Sequence, residues 1–217
     1  MPSNYVLINI YYFLMSILCV IFNQSLAQCK IPPTWKTSCM VPVPKESPVR
    51  STNDLRPVAL TSAVMKVFER VVLIRYQVLV TDFPDPWQFA YSIYAHLDKP
   101  GTYIRLMFFD FSSAFNTIQP HLLAEKLLKM KISAPTILWV LDYLTSRPQY
   151  VKLGPSVTSR TICTNTGAPQ GTVLSPFLFS LYTADCKNVH ESCPITKFAD
   201  DTGLTEQVTV DDWTNKR

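Results

Sequence analysis

Asp110 closes the apolar run YIRLMFFD, and ninety residues later Asp200 and Asp201 stand side by side in KFADD, with TGAPQGTVLSP between them. Carboxylates are the hard oxygen ligands that Mg²⁺ takes, one or two at a time alongside substrate phosphates and water. Two such ions held about 3.5–4 Å apart stabilise both the attacking and the leaving oxygen of an in-line displacement at phosphorus. Singly, each signal is bland. An Asp after a strand is commonly a turn former, and Asp-Asp before Thr-Gly is commonly a solvated hairpin tip. It is the ordered set, with a Gly-rich loop inside it, that points to metal-assisted phosphoryl chemistry.

Those carboxylates need elements to hold them. Tyr103 to Phe109 reads as a strand, and Leu106, Met107, Phe108 and Phe109 as its end, buried on both faces. Asp110 would then emerge where the core meets solvent. In a regular strand neighbours point to opposite faces, so a tight turn over residues 199–203 is expected to bring at least one of Asp200 and Asp201 toward Asp110. Ser62 to Val80, with Val64, Val67, Phe68, Val71 and Val72, reads as an amphipathic helix broken at Thr81 to Trp87 by two prolines. Pro120 suits the first turn of a helix through Leu122, Leu123, Leu127 and Leu128, and Pro135 to Leu144 makes another, ended near Arg147-Pro148. Tyr150 to Leu153 and Thr158 to Thr164 flank Gly154-Pro155 as a hairpin. Thr172 to Asp185 is helical with Pro176 in its first turn, and Thr196 to Leu204 forms a second hairpin around the Asp pair. Helices on one face of a mostly antiparallel sheet make an α+β fold.

The segment from about Ile17 to Asp212 resembles the reverse transcriptase domain of non-LTR (LINE-type) retrotransposons. The stretches that carry the resemblance are LRPVALTSAVMKVFERVVL, PWQFAY, PGTYIRLMFFDFSSAFNTIQPHLLAEKLL, SRPQYVKLG, NTGAPQGTVLSPFLFSLYTAD and KFADDT, in that order. The resemblance implies an RNA-directed DNA polymerase of fingers and palm, with an antiparallel palm sheet backed by helices. Its partners would be an RNA template, a DNA primer and deoxynucleoside triphosphates, and its cofactor two Mg²⁺ or Mn²⁺ ions. By position, Asp110, Asp200 and Asp201 resemble the catalytic, metal-binding aspartates, with the backbone carbonyl of Phe111 as an extra metal ligand.

Phe115 resembles the side chain that abuts the sugar of the incoming nucleotide, where a 2′-hydroxyl would clash. Read without the resemblance it is a core phenylalanine in a turn. Gln170 and Gly171 resemble the loop residues that approach the nascent base pair; Gly lacks the Cβ that would block a close approach, and Pro169 fixes a backbone angle beside it. The same loop also reads as an ordinary turn before a helix. Arg56 resembles a fingers residue near the triphosphate, a task that suits a planar guanidinium. Lys66 and Arg70, four apart on one side of a helix, are nucleic-acid contacts or simply a solvated face.

The sequence also departs from the family. After Tyr91 the family runs through a basic Ser/Thr-containing stretch and a helix before the strand that ends in Asp110, whereas here SIYAHLDKPGTY follows directly. Most of that helix is missing, which is expected to expose apolar palm surface and remove part of the template path. The chain stops at Arg217, so the thumb, primer-gripping hairpin and endonuclease are expected to be missing and processive synthesis to be slight. The organisation expected is an apolar segment over residues 1–16, a fingers-like region over 17–100 and a partial palm over 101–217. The alternative is a catalytically inactive remnant that at most binds nucleic acid.

Composition bounds the partners. Hydrophobic residues make up 47% of the 217 and charged ones 17%, which excludes a disordered chain. Net charge is only +4, but residues 30–75 hold eight basic side chains against three acidic ones. A basic region beside an acidic metal site suits an enzyme that follows phosphates. Tyr5 to Phe22 is uncharged and mostly apolar, as in a signal or membrane segment. No Lys or Arg precedes it, and residues 17–36 already resemble the family, so it reads as a false signal, with no membrane partner and an intracellular setting in cytoplasm and nucleus. Six cysteines without a CxxC pair fit free thiols in a reducing compartment.

Overall fold

The computed structural model describes residues 4–45, 47–77, 101–111, 113–186, 195–198 and 201–209. They form six helices and eight strands: α1 (Asn4–Gln28), α2 (Pro33–Lys36), β1 (Ser38–Pro44), β2 (Leu55–Leu60), α3 (Ala63–Gln77), β3 (Thr102–Phe109), α4 (Pro120–Lys129), α5 (Ala134–Leu144), β4 (Arg147–Leu153), β5 (Val157–Thr158), β6 (Ile162–Thr164), α6 (Leu174–Tyr182), β7 (Ile195–Phe198) and β8 (Asp201–Thr209). The class is α+β. The expected breaker at Thr81 to Trp87 lies outside the described residues.

Local sequence accounts for most boundaries. Ser62 caps α3, its hydroxyl accepting from Met65 N–H at 3.1 Å. Pro120 and Pro135 sit in the first turns of α4 and α5, where a missing N–H costs nothing. Pro148 cannot continue α5, and the chain turns into β4. The hairpin expected around Gly154-Pro155 forms, with Gly154 at φ +74°, but its return limb is split into β5 and β6, both paired antiparallel to β4.

The expected mostly antiparallel sheet is found as two separate sheets. One sheet runs β2-β1-β4-β5 with β6 also on β4, and it is mixed because β1 and β4 are parallel. The other is antiparallel, β3-β8-β7. The chain's buried core is helical and aromatic. Phe22 of α1 stacks on Phe68 of α3 with ring centroids 4.2 Å apart, Phe68 meets Trp139 of α5 edge-on at 5.4 Å, and Trp139 stacks on Tyr143 at 5.9 Å. Such pairs contribute about 0.5–1.5 kcal/mol each beyond area burial. Trp139 Nε1–H donates to Ser25 at 3.2 Å, and Asp142 accepts from Ile31 N–H at 2.9 Å while pairing with Lys36 at 3.1 Å. The second half of α1 is thereby part of the core. Tyr12, Phe13, Leu14, Ile17 and Val20, further toward its start, are exposed. Among the described residues no helix is long and apolar enough to cross a membrane.

Two expectations about buried faces are overturned. In α3 the buried stripe is Met65, Phe68, Val72 and Tyr76, whereas Val67 and Val71 are exposed. In β3 the apolar run is not buried on both faces: Leu106, Met107, Phe108 and Phe109 are all exposed, Phe108 by 79%. No residue of β3 belongs to the described core. Truncating Phe68 to Ala is expected to lower stability by about 3–5 kcal/mol, and replacing Phe108 by Ser by less than about 1 kcal/mol. Urea denaturation of the two variants checks the contrast.

Candidate active site

Two of the acidic positions, Asp110 and Asp201, lie at the same end of the antiparallel sheet. β3 pairs with β8 through Phe109↔Thr202, and β7 pairs with β8 through Phe198↔Asp201. Asp110 and Asp201 are the residues next to the Phe109↔Thr202 pair, one just past β3 and one at the start of β8. Asp110 is exposed just past the end of β3. Asp200 lies outside the described residues, in the two-residue connection between β7 and β8. Oxygen ligands carried on adjacent strands suit Mg²⁺ or Mn²⁺.

Beyond Asp110 the chain curls through Ser113, at φ +58°, into a 3-10 turn over Ala114–Thr117. Phe111 and Phe115 therefore reach the same buried ring of α6: Phe179 meets Phe111 edge-on at 5.6 Å and Phe115 at 5.8 Å. Phe111 is exposed and Phe115 half-buried.

The loop over residues 167–171 lies against that turn. Gly167 N–H donates to Ile118 O and Ala168 N–H to Phe115 O, both at 2.8 Å. Gly167 has φ +73°, and a Cβ there would come within 3.0 Å of Asn116 Cα, so the close approach requires glycine. The other side of the loop meets β2, where Ala59 N–H donates to Gln170 O at 2.7 Å. Gly171, at φ +92°, would place a Cβ 3.2 Å from Val58. Phe115, Gln170 and Gly171 are thus brought together. Arg56 is exposed on β2, three residues from the strand's bond to the loop. Lys66 is half-buried and Arg70 exposed on α3, away from its buried stripe.

Sequence reasoning missed what lies beneath the loop. Glu69 is fully buried in α3, and its Oε2 accepts from Val173 N–H at 2.6 Å and Leu174 N–H at 3.1 Å, capping α6 from another element. Tyr143 OH donates to Thr172 at 3.0 Å, and both Thr172 and Ser175 donate to Pro169 O, at 3.0 and 2.8 Å. Arg147, also buried, donates to Tyr143 O at 2.7 Å and lies over the Tyr143 ring. The available signal was Glu69's place, four residues after Met65 and three before Val72, inside an apolar stripe. Burial raises the Glu69 carboxyl above its ordinary value, against the opposing pull of the Leu174 and Val173 amides and the Arg147 charge.

The family model described as reverse transcriptase (RNA-dependent DNA polymerase) matches residues 43–208. The chain belongs to this family. It is 24% identical over 205 residues to the Retrovirus-related Pol polyprotein from type-1 retrotransposable element R2 of Popillia japonica, covering 81% of this chain and 28% of that protein. It is 28% identical over 214 residues to the probable RNA-directed DNA polymerase from transposon BS of Drosophila melanogaster, covering 86% and 23%. The chain therefore spans about a quarter of the length of these curated relatives. Apo telomerase from Candida tropicalis, truncated from its C-terminal domain, shares the fold at TM-score 0.55 and 12% identity, over 86% of this chain and 46% of that one. Candida albicans telomerase in complex with a TWJ fragment of telomeric RNA gives TM-score 0.51 and 13% identity, over 86% and 41%. The sheet pairing and the helical core described above are thus those of a reverse transcriptase fold.

A carboxyl held above its ordinary value makes folding take up a proton. The contribution of Glu69 to stability is then largest at low pH and is lost as pH rises past the ordinary glutamate value near 4.5 and on through the raised folded value. The stability of the native chain relative to Glu69→Gln is expected to fall as pH rises past the ordinary glutamate value near 4.5. Denaturant titrations of both proteins at several pH values check it.

Proposed function

We propose that the chain is the nucleotide-joining part of a retrotransposon reverse transcriptase, an RNA-directed DNA polymerase that extends a DNA primer on an RNA template. The observation that supports this reading is the β3–β8 register, whose last pair, Phe109↔Thr202, is flanked in sequence by Asp110 and Asp201, with Asp200 directly before Asp201. These three carboxylates, with the Phe111 carbonyl, would hold two Mg²⁺ or Mn²⁺ ions. Bound there, the ions would supply charge stabilisation to the attacking and leaving oxygens.

The remaining residues act around that centre. Phe115, steadied by Phe179, would abut the sugar of the incoming deoxynucleotide and disfavour a 2′-hydroxyl. Gln170 and Gly171, fixed between β2 and the Phe115 turn, would approach the nascent base pair. Arg56 on β2 would bind the triphosphate through its guanidinium fork, and Lys66 and Arg70 would track nucleic-acid phosphates. The division into fingers over residues 17–100 and palm over 101–217 is one of roles and not of cores, since β1 and β4 from the two sides share a sheet. A second reading, a non-catalytic remnant that binds nucleic acid, draws on the exposed apolar side chains of β3, which an uncovered palm surface would present.

Primer extension on an RNA template with Mg²⁺ separates the two. Asp110→Asn is expected to lose about a hundredfold or more of the incorporation rate, and equal rates for both proteins would reject the reading. Phe115→Ala is expected to raise ribonucleotide use relative to deoxynucleotide by about tenfold. Salt-sensitive binding without incorporation by the native chain would favour the remnant.

A further inference from the structure

Four elements converge on the loop that carries Gln170. β2 binds its Gln170 carbonyl, the Phe115 turn binds Ala168, and α5 reaches Pro169 through Tyr143 and Thr172. The fourth, α3, reaches it with the only one of these supports that carries a formal charge, the Glu69 carboxylate. Val173 and Leu174, whose N–H groups bond to it, follow Gly171 after one residue, and that residue, Thr172, and Ser175 in the first turn of α6 both donate to the Pro169 carbonyl. Without the acceptor, two N–H groups at a helix start lose their partner in a buried setting, where an unmade hydrogen bond costs more than a made one gains. The turn would then loosen where Pro169 is held.

We propose that Glu69 is a positioning residue: by tying the first turn of α6 to α3 it fixes the Pro169–Gly171 turn against β2, and so sets how closely that turn approaches a templated base pair. The proposal rests on the reverse transcriptase reading for its link to base selection, and on the hydrogen bonds alone for its link to the turn. Glu69 touches no substrate in this scheme. Its effect is on discrimination between matched and mismatched nucleotides, which a merely stabilising side chain would leave alone. Val72, three residues on along the same buried stripe, offers the comparison, because its apolar side chain supports α3 without a hydrogen bond to the loop.

The test uses the full chain with Glu69→Leu, which keeps bulk and removes the acceptor, Glu69→Gln, which keeps an acceptor oxygen, and Val72→Ala, which lowers stability only. Amide hydrogen exchange is read at residues 168–175, and matched and mismatched deoxynucleotide incorporation on an RNA template is read in parallel. Glu69→Leu is expected to speed exchange at Val173 and Leu174 about tenfold beyond Val72→Ala and to lower the matched-to-mismatched kcat/KM ratio about tenfold, with Glu69→Gln close to native in both. Indistinguishable behaviour of Glu69→Leu and Val72→Ala would overturn the proposal. If the native chain incorporates nothing, the reverse transcriptase reading fails on its own, and exchange still decides whether Glu69 holds the turn: faster exchange in Glu69→Leu supports it and unchanged exchange overturns it. If Glu69→Leu does not fold, Tyr143→Phe, which removes the hydroxyl that bonds Thr172 and also interacts with Ser175 and Glu69, is expected to loosen the same amides, and native exchange there would overturn the proposal.

Discussion

The candidate site depends on one antiparallel register, that of β3 on β8. A slip of one residue in either strand would exchange the faces of a whole strand and separate Asp110 from Asp201. The pairing runs over the full length of β3, from Thr102↔Thr209 to Phe109↔Thr202, and β7 pairs along the other side of β8. Backbone pairing thus does most of the positioning. The apolar side chains of β3 contribute little, since they are largely in solvent.

A second, independent scaffold holds the loop and the 3-10 turn. The aromatic column Phe22, Phe68, Trp139 and Tyr143 ties α1, α3 and α5 together, and its last member reaches the loop by a hydrogen bond through Thr172. Glu69 and Arg147 place charge in this otherwise apolar region. Isolated buried charges are costly, and each is met in part by backbone groups, the amides that start α6 and the carbonyl near the end of α5, while Glu69 Oε1 and Arg147 Nη2 have no hydrogen-bond partner among the described residues. The two scaffolds meet at Phe179, which supports Phe111 beside the acids and Phe115 beside the loop.

Much of this was legible in the sequence because the signals are local. Proline placement marked α4 and α5, Gly154 marked the β4 hairpin, and the residues before and after the Ala199-Asp200 step form the antiparallel pair β7 and β8. What failed was the choice of face. α3 carries two apolar stripes at helical spacing, one through Val67 and Val71 and one through Met65, Phe68 and Val72, and only tertiary contact decides which is covered. The β3 run looks like a buried strand because four consecutive apolar residues usually need two covered faces. Its exposure agrees with the shortening noticed after Tyr91. Glu69 was passed over because an acid in an apolar stripe signals nothing until its distant partners, Val173 and Leu174, are known.

Manganese-induced paramagnetic broadening of backbone amide resonances tests the central claim most directly, since it reports where divalent cations settle without requiring turnover. Titrating Mn²⁺ into the full chain should broaden the amides of Asp110, Phe111, Asp201 and Thr202 together and before the rest, and Asp110→Asn should weaken the effect at all four. Broadening confined to other acidic residues, or broadening at Asp201 without Asp110, would contradict a shared ion site at the ends of β3 and β8.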